Sequence, residues 1–489
     1  MPTRFSSLVE EARLAAQAIQ DFGAHLVHPT VRLGVTGLSR AGKTVFITAL
    51  VHGLTRGGRF PVFESLATGR IAAARLEPQP DDAIPRFDYE NHLSALIDER
   101  RWPASTVDIS ELRLAIDYES RNGAARTLTL DIVDYPGEWL LDLPLLEKTF
   151  EQWASESLAL SRSGPRARLA AAWHAQLATL APKQQANEQD ALTAARLFTD
   201  YLKACRDERF AMSLLPPGRF LLPGAMAGTP ALTFAPLDIP HDEEPPANSL
   251  WAMMRRRYRA YQDAIVRPFF RDHFARLDRQ VVLVDALAAF NAGPDALHDL
   301  EAAMAAILEC FRVGRRTLIS SLIRPRIDRI LFAATKADHL HRVSHDRLEA
   351  VLKHMMRDAT TRAGSTGALT DAVAIAAVRA TREAEVRRGR ERLPAITGTP
   401  IAGETSGAET FDGATEIATF PGDLPEDVET LFTNGAGFRG LSAATPDNAD
   451  FRFLRFRPPA LMSEGGDQPA LPHIRLDRAL QFLIGDRLK

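Results

Sequence analysis

The sequence predicts a doubly wound α/β sheet, interrupted by a largely helical insertion and followed by a small β-rich C-terminal addition. Three observations carry that expectation. Short apolar, β-branched runs recur, each ending in polar or glycine residues ahead of a helical pattern: Val31 to Val35, "RQVVLVDAL", "ILFAATKADHL" and "DAVAIAAVRAT". A long Ala- and Leu-rich stretch of helical spacing separates the first of these runs from the second. After Thr381 the pattern changes to short strand-like runs among Pro- and Gly-rich turns.

The elements follow in order. A helix is expected over Thr44 to Leu54, stopping near Gly57-Gly58, and Arg59 to Trp102 reads as a poorly periodic insertion with several prolines. "TVDISELRLAIDYES" and "RTLTLDIVDYPGEW" alternate as two strands of a hairpin that adds one antiparallel strand, with Asn122-Gly123 as the turn signal. Leu145 to about Lys203 is mostly helical, Pro216 to Pro246 is an irregular excursion, and "SLWAMMRRRYRAYQDAIVRPFFRDHFARLD" returns to helical spacing. "AGPDALHDLEAAMAAILECFR" and "SHDRLEAVLKHMMRDAT" are helices, while "RLPAITGTPIAGE" and "FRFLRFRPP" are strand-like. The division is then an N-terminal helix over 1–28, a core over 29–140, a mainly helical insertion over 141–279, a second part of the core over 280–381, and a β-rich region with a closing helix over 382–489.

Composition narrows the function. A net charge of −3 gives no global basic field, so nucleic acid is not expected as a partner. Two cysteines, Cys205 and Cys310, without metal-ligand spacing point to a reducing, cytoplasmic setting. The opening residues read as an amphipathic helix with Glu10, Glu11 and Asp21, not as a secretion signal.

Three motifs carry chemistry. Gly37-Leu38-Ser39-Arg40-Ala41-Gly42-Lys43-Thr44 fits G-x-x-x-x-G-K-[ST] between a strand and a helix, the pattern of a P-loop NTPase. Backbone N–H groups and the helix N-terminus would cradle phosphates, Lys43 would reach the β- and γ-phosphates, and the Thr44 hydroxyl would bind Mg²⁺. Asp134-Tyr135-Pro136-Gly137 fits D-x-x-G at a strand end. Asp134 is the metal-shell carboxylate, with Asp131 a weaker competitor, and the Gly137 amide would meet the γ-phosphate. Thr335-Lys336-Ala337-Asp338 fits [NT]-K-x-D. Asp338 would accept from guanine N1–H and the exocyclic amine, and the stem of Lys336 would lie over the base.

In this order the three motifs resemble a GTPase of the Ras-like, translation-factor-related group. That resemblance implies a Ras-like GTPase core, GTP and GDP as ligands, and a metal-contacting switch threonine before the hairpin. Thr106 in "RRWPASTVDIS" holds that place, with Ser105 second. It also implies a base-side loop at "AAVRAT", where Ala376, Ala377 and Val378 have only backbone to offer. Glu138 holds the place of a water-orienting glutamine; its charge beside a γ-phosphate predicts slow hydrolysis. The stretches "GLSRAGKT", "WPAST", "DIVDYPGEWLLDLPLL", "RQVVLVDAL" and "ATKADHL" go further and resemble the YcjX-like family of bacterial P-loop proteins. That likeness implies a GTP-binding core with a helical insertion and an association with stress responses.

The helical insertion raises the prospect of an arginine supplied in cis. Arg255, Arg256, Arg257, Arg259 and Arg267 are expected instead to form a solvated basic face, with anionic lipid at the inner membrane or an acidic protein partner as the alternative. Arg40 is the arginine expected nearest the nucleotide. Leu140, Leu141, Leu143, Leu145 and Leu146 are expected to pack under the insertion. Two rival readings stay open: a P-loop ATPase or nucleotide kinase that shares Lys43 and Thr44 but not the base contact, and a nucleotide-binding scaffold or membrane adaptor with little turnover.

Overall fold

A computed structural model describes residues 29–38, 40–240, 242–311, 327–364, 368–388, 391–406, 409–432, 453–461 and 469–489. The helix expected over 1–28 and the loop residue Ser39 lie outside them.

Seven strands form one sheet: β1 (Thr30–Gly37), β2 (Ile71–Glu77), β3 (Ser110–Glu119), β4 (Ala125–Asp134), β5 (Arg279–Val284), β6 (Arg329–Ala334) and β7 (Leu369–Ala374). Their order is β2-β3-β4-β1-β5-β6-β7, and β3 alone runs against the rest. The sheet is buried on both faces, which is why its central strands are continuous apolar runs. Alternate residues enter different cores: Val281 and Leu283 on one side of β5, Val282 and Val284 on the other.

The longer helices are α1 (Lys43–Arg56), α2 (Tyr89–Ile97), α3 (Phe150–Ser161), α4 (Glu188–Arg206), α5 (Leu250–Tyr261), α6 (Pro294–Cys310), α7 (His345–Gly364) and α8 (Leu476–Ile484). One sheet face packs Val31, Leu33 and Val35 against Ile47 and Leu50 of α1 and Leu480 and Leu483 of α8. The closing helix is thus built into the sheet's core. The other face receives α6 and α7, and its core runs without a break into the insertion. Leu140, Leu141, Leu143 and Leu145 are buried there, with Leu146 packed against them.

Two expectations need correction. Arg59 to Trp102 is not merely irregular: it supplies β2, paired to β3 with Leu76 opposite Leu114, and helix α2. The strand "IAAARLE" is Ala-rich and lies at the sheet edge, so pairing creates it where propensity would not. Among its described residues, "FRFLRFRPP" forms no strand beyond an isolated Phe456–Pro400 bridge. The β-rich region is instead β8 (Arg382–Arg388), β9 (Glu391–Gly398) and β10 (Ile417–Thr419), an antiparallel sheet in the order β10-β9-β8.

The insertion is held by aromatics. Trp153 stacks on Tyr258 at 5.2 Å and meets Phe234 edge-on at 5.3 Å, each pair adding roughly 0.5–1.5 kcal/mol beyond its burial. Helix α3 starts at a reciprocal cap, in which the Thr149 hydroxyl accepts from the Gln152 amide at 3.2 Å and the Gln152 side chain accepts from the Thr149 amide at 3.0 Å. The exposed-face reading of the arginines is corrected in part: Arg257 is buried against Glu188, Arg255 pairs with Glu244 and Glu151, and Arg267 pairs with Asp263.

A buried carboxylate joins the segment after Gly137 to the insertion. Asp142 accepts from the Tyr261 hydroxyl and the Gly218 amide, both at 2.6 Å. Burial pushes its pKa up to about 6 against those hydrogen bonds and the nearby Arg219 charge. A carboxyl that ionises less readily when folded stabilises the fold while protonated, and that contribution fades as pH rises from about 4 to about 6. Its size is on the order of 3 kcal/mol. Asp142→Asn removes the titration, so wild-type stability relative to the variant should fall by roughly that amount between pH 4 and pH 7.5 in urea unfolding. A difference that does not change with pH would mean Asp142 titrates normally.

Candidate functional site

Parallel register brings the carboxyl ends of β1, β4, β5, β6 and β7 to one edge of the sheet. All three sequence motifs leave the sheet at that edge. Gly42 takes the left-handed conformation, φ 80°, that turns the loop into α1. No side chain caps that helix and no acidic residue sits in its first turn, so the opening N–H groups are left for an anion. The Lys43 ammonium donates to the Gly37 carbonyl at 3.4 Å and closes the loop. Arg40 is also left-handed, at φ 62°, and forms an ion pair with Glu208 of the insertion.

Beside the loop, the Thr44 and Thr106 hydroxyls lie 3.3 Å apart, and Thr44 also approaches the Ala104 carbonyl at 3.4 Å. Asp134 is 1% exposed, and neither carboxylate oxygen has a hydrogen-bond partner among the described residues. Burial raises its pKa, while the Lys43 charge and the nearby Thr106 hydroxyl pull it back. Two hydroxyls and an unpartnered buried carboxylate make an all-oxygen donor set that fits a hard divalent cation such as Mg²⁺. Among the described residues, no group of three or more His, Cys, Asp or Glu could hold a metal by itself, so phosphate oxygens would complete the shell. Asp131 is elsewhere: it accepts a two-pronged bond from Arg113 across the β3–β4 pair, at 2.6 and 2.8 Å.

Gly137 packs directly on the loop. A Cβ there would run into the Gly37 carbonyl and sit 2.9 Å from the Leu38 nitrogen. Glu138, next in the chain, is 3% exposed, and its carboxylate pairs with Arg206 at the end of α4 at 3.4 Å.

At the far end stands Asp338, 4% exposed. One of its carboxylate oxygens accepts from the Ala380 amide at 2.8 Å, and its carbonyl accepts from the Thr381 hydroxyl. Lys336 is left-handed at φ 60° with its ammonium on Asp285, and the Thr335 amide donates to the Val284 carbonyl at 2.9 Å. Ala376 departs from expectation. Its N–H donates to Ile474 at 3.1 Å and its carbonyl accepts at 2.8 Å, so it has no amide to offer a base.

A cavity of about 560 Å³ joins the two ends. Leu38, Arg40, Ala41, Gly42, Lys43, Thr44, Ser105 and Thr106 line one side, and Thr335, Lys336, Asp338, Ala376, Ala377 and Val378 the other. Gly37, Asp134, Gly137 and Glu138 are not among its lining residues. Sequence reasoning missed several walls. Arg206 and Arg209 come from the insertion, Asp285 from the end of β5, and Ile401, Arg455 and Phe456 from the C-terminal region. Only Asp285, a polar residue at a strand end, carried a readable signal.

A family model described as the YcjX-like family, DUF463, matches residues 31–488. The chain is 38% identical over 478 residues to a protein of Escherichia coli K12 named "Ras-like GTPase YcjX", covering 94% of this chain and 96% of that one. It is 35% identical over 498 residues to a protein of the same name from Shewanella oneidensis MR-1, covering 95% and 96%. With matches of that extent over a Ras-like P-loop core, the chain belongs to the YcjX-like family.

Proposed function

We propose that the chain is a GTP-binding switch protein that hydrolyses GTP slowly. The observation that carries this reading is one cavity lined by Lys43 and Thr44 on one side and Asp338 on the other. Its volume of about 560 Å³ lies in the range of small-molecule sites, with phosphates placed at α1 and a base at Asp338. The relatives' printed name, Ras-like GTPase, supports the same reading.

In this reading the phosphates lie on the amides from Leu38 to Thr44, and Lys43 balances their charge. Thr44, Thr106 and Asp134 would hold Mg²⁺, which neutralises phosphate charge when bound. Gly137 would sense the γ-phosphate. Asp338 selects guanine because its second carboxylate oxygen remains for N1–H and the exocyclic amine once the Ala380 amide has taken the first. Ala377 and Val378 form the base-side backbone. Glu138, buried and paired with Arg206, is not held where it would orient water, which favours a low rate. Cytoplasmic location, a stress-related role, an unidentified protein partner and peripheral contact with the inner membrane belong to the proposal. Among the described residues no helix is long and apolar enough to cross a membrane.

Competition tests the base claim. GTP and GDP should displace a bound fluorescent guanine nucleotide at least about tenfold better than ATP does, in line with roughly 1–3 kcal/mol for one unpaired buried acceptor. Equal displacement by ATP would remove guanine selectivity. Asp338→Asn is sharper. The amide oxygen would keep the Ala380 contact and the amide nitrogen would face the base, so preference should shift from GDP toward xanthosine diphosphate, whose 2-position is a carbonyl acceptor. Retained guanine preference would place the base elsewhere. Purified protein alone should turn over well below about one GTP per second, and several per second would contradict slow hydrolysis.

A further inference from the structure

Helix α4 ends at Arg206, and that guanidinium stands between two things. On one side is Glu138, whose side chain is 4% exposed and lies 3.4 Å away. On the other is the cavity wall that Arg206 shares with Lys43, Thr44 and Thr106. Glu138 does not itself line the cavity, whereas its partner Arg206 does. The remaining cations of the wall are engaged differently. Arg40 and Arg455 share Glu208, Arg209 lies over its neighbour Phe210, and Lys336 holds Asp285. Among the described residues, Arg206 is the cavity arginine whose carboxylate partner directly follows Gly137, which is packed on the phosphate loop.

We propose that Arg206 is a catalytic arginine supplied in cis by the helical insertion, and that Glu138 is its positioning residue. This deepens the reading of the cavity as a GTPase site and rests on it. In the reaction the bond from water oxygen to the γ-phosphorus forms as the bond from that phosphorus to the β–γ bridging oxygen breaks. GDP leaves with the electron pair, and both of the water's protons stay with the released phosphate, as H₂PO₄⁻, which can then give one to solvent. Negative charge grows on the bridging and γ-oxygens as this happens. A guanidinium carries its N–H donors in a rigid planar fork, so one edge can rest on a carboxylate while another turns toward those oxygens. Such an arginine is worth on the order of 10³ or more in rate. The ion pair also explains a glutamate beside a phosphate site: a buried carboxylate is tolerated where a cation answers it.

The test is single-turnover GTP hydrolysis, GDP affinity, and capture of GDP with aluminium fluoride, a mimic of the transferring phosphoryl group. Arg206→Ala should lose at least about 100-fold in rate and fail to capture aluminium fluoride, with GDP affinity within about threefold of wild type. Arg206→Lys keeps the charge on Glu138, and so the fold, but lacks the planar fork; it should lose about tenfold or more. Glu138→Gln should slow hydrolysis, yet add nothing further to Arg206→Ala, because the two residues act as one unit. A rate within about threefold of wild type in either Arg206 variant overturns the proposal. So does an equal loss of GDP affinity, or additive losses in the double variant. If the wild-type protein binds or hydrolyses no GTP, the reading of the cavity fails instead, and these comparisons separate the two failures.

Discussion

Strands that run the same way must end at the same edge. That constraint decides where chemistry is possible in this chain. Strands β1, β4, β5, β6 and β7 share a direction, so Gly37, Asp134, Asp285, Thr335 and Ile375 stand at or just past their ends along one line of the molecule. Loops there are free of the sheet's hydrogen bonding and can carry strained or polar groups. The left-handed conformations of Arg40, Gly42 and Lys336, which a regular element would reject, are gathered at this edge. An uncapped helix start and a buried carboxylate without a partner are costly on their own. Together they are complementary, because one wants an anion and the other a cation. A nucleotide phosphate with its metal would supply both.

The motifs were legible because each is local. The G-x-x-x-x-G-K-[ST] loop, Asp134 of D-x-x-G and Asp338 of [NT]-K-x-D are each read from a few consecutive residues, and the strand pattern places them at one edge of the sheet. The apolar runs predicted the parallel strands, and Asn122-Gly123 predicted the β3–β4 turn, where Gly123 has φ 82°. What was not legible is non-local. Strand β2 exists because β3 offers an edge, not because "IAAARLE" favours a strand. Ala376 gives up its amide to Ile474, far along the chain, and no local pattern announces that. Arg206 looks like any basic residue in the last turn of a helix. Its meaning comes from Glu138, which the fold brings to it from a separate stretch of sequence.

The C-terminal region shows the same principle at the mouth of the cavity. The Trp102 indole donates to the Phe456 carbonyl at 2.6 Å, and Arg100 reaches the Pro458 carbonyl at 3.3 Å, so the stretch leading to Thr106 is tied to that region. Glu208 of the insertion meets both Arg40 and Arg455. These charges are about half exposed, and each pair contributes at most about 1 kcal/mol. Their value is positional: three separate parts of the chain close around one opening.

How a phosphate could be felt in the insertion follows from a short run of consecutive residues. Gly137 is in contact with the phosphate loop, Glu138 holds Arg206 of α4, Arg219 lies 3.1 Å over the Trp139 ring, and Asp142 holds Tyr261 of α5. The run from Gly137 to Leu143 is buried throughout, and the segment winds as a tight 3₁₀ helix from Gly137 to Glu147. A tight, packed segment cannot yield at one end alone, since close-packed interiors transmit displacement and do not absorb it. On the proposed reading, room for a γ-phosphate at Gly137 would be made by moving the anchors of α4 and α5 with it, or by exchanging their partners. The phosphate loop and the insertion are thus joined through one buried segment, with Glu138 and Asp142 as its attachments.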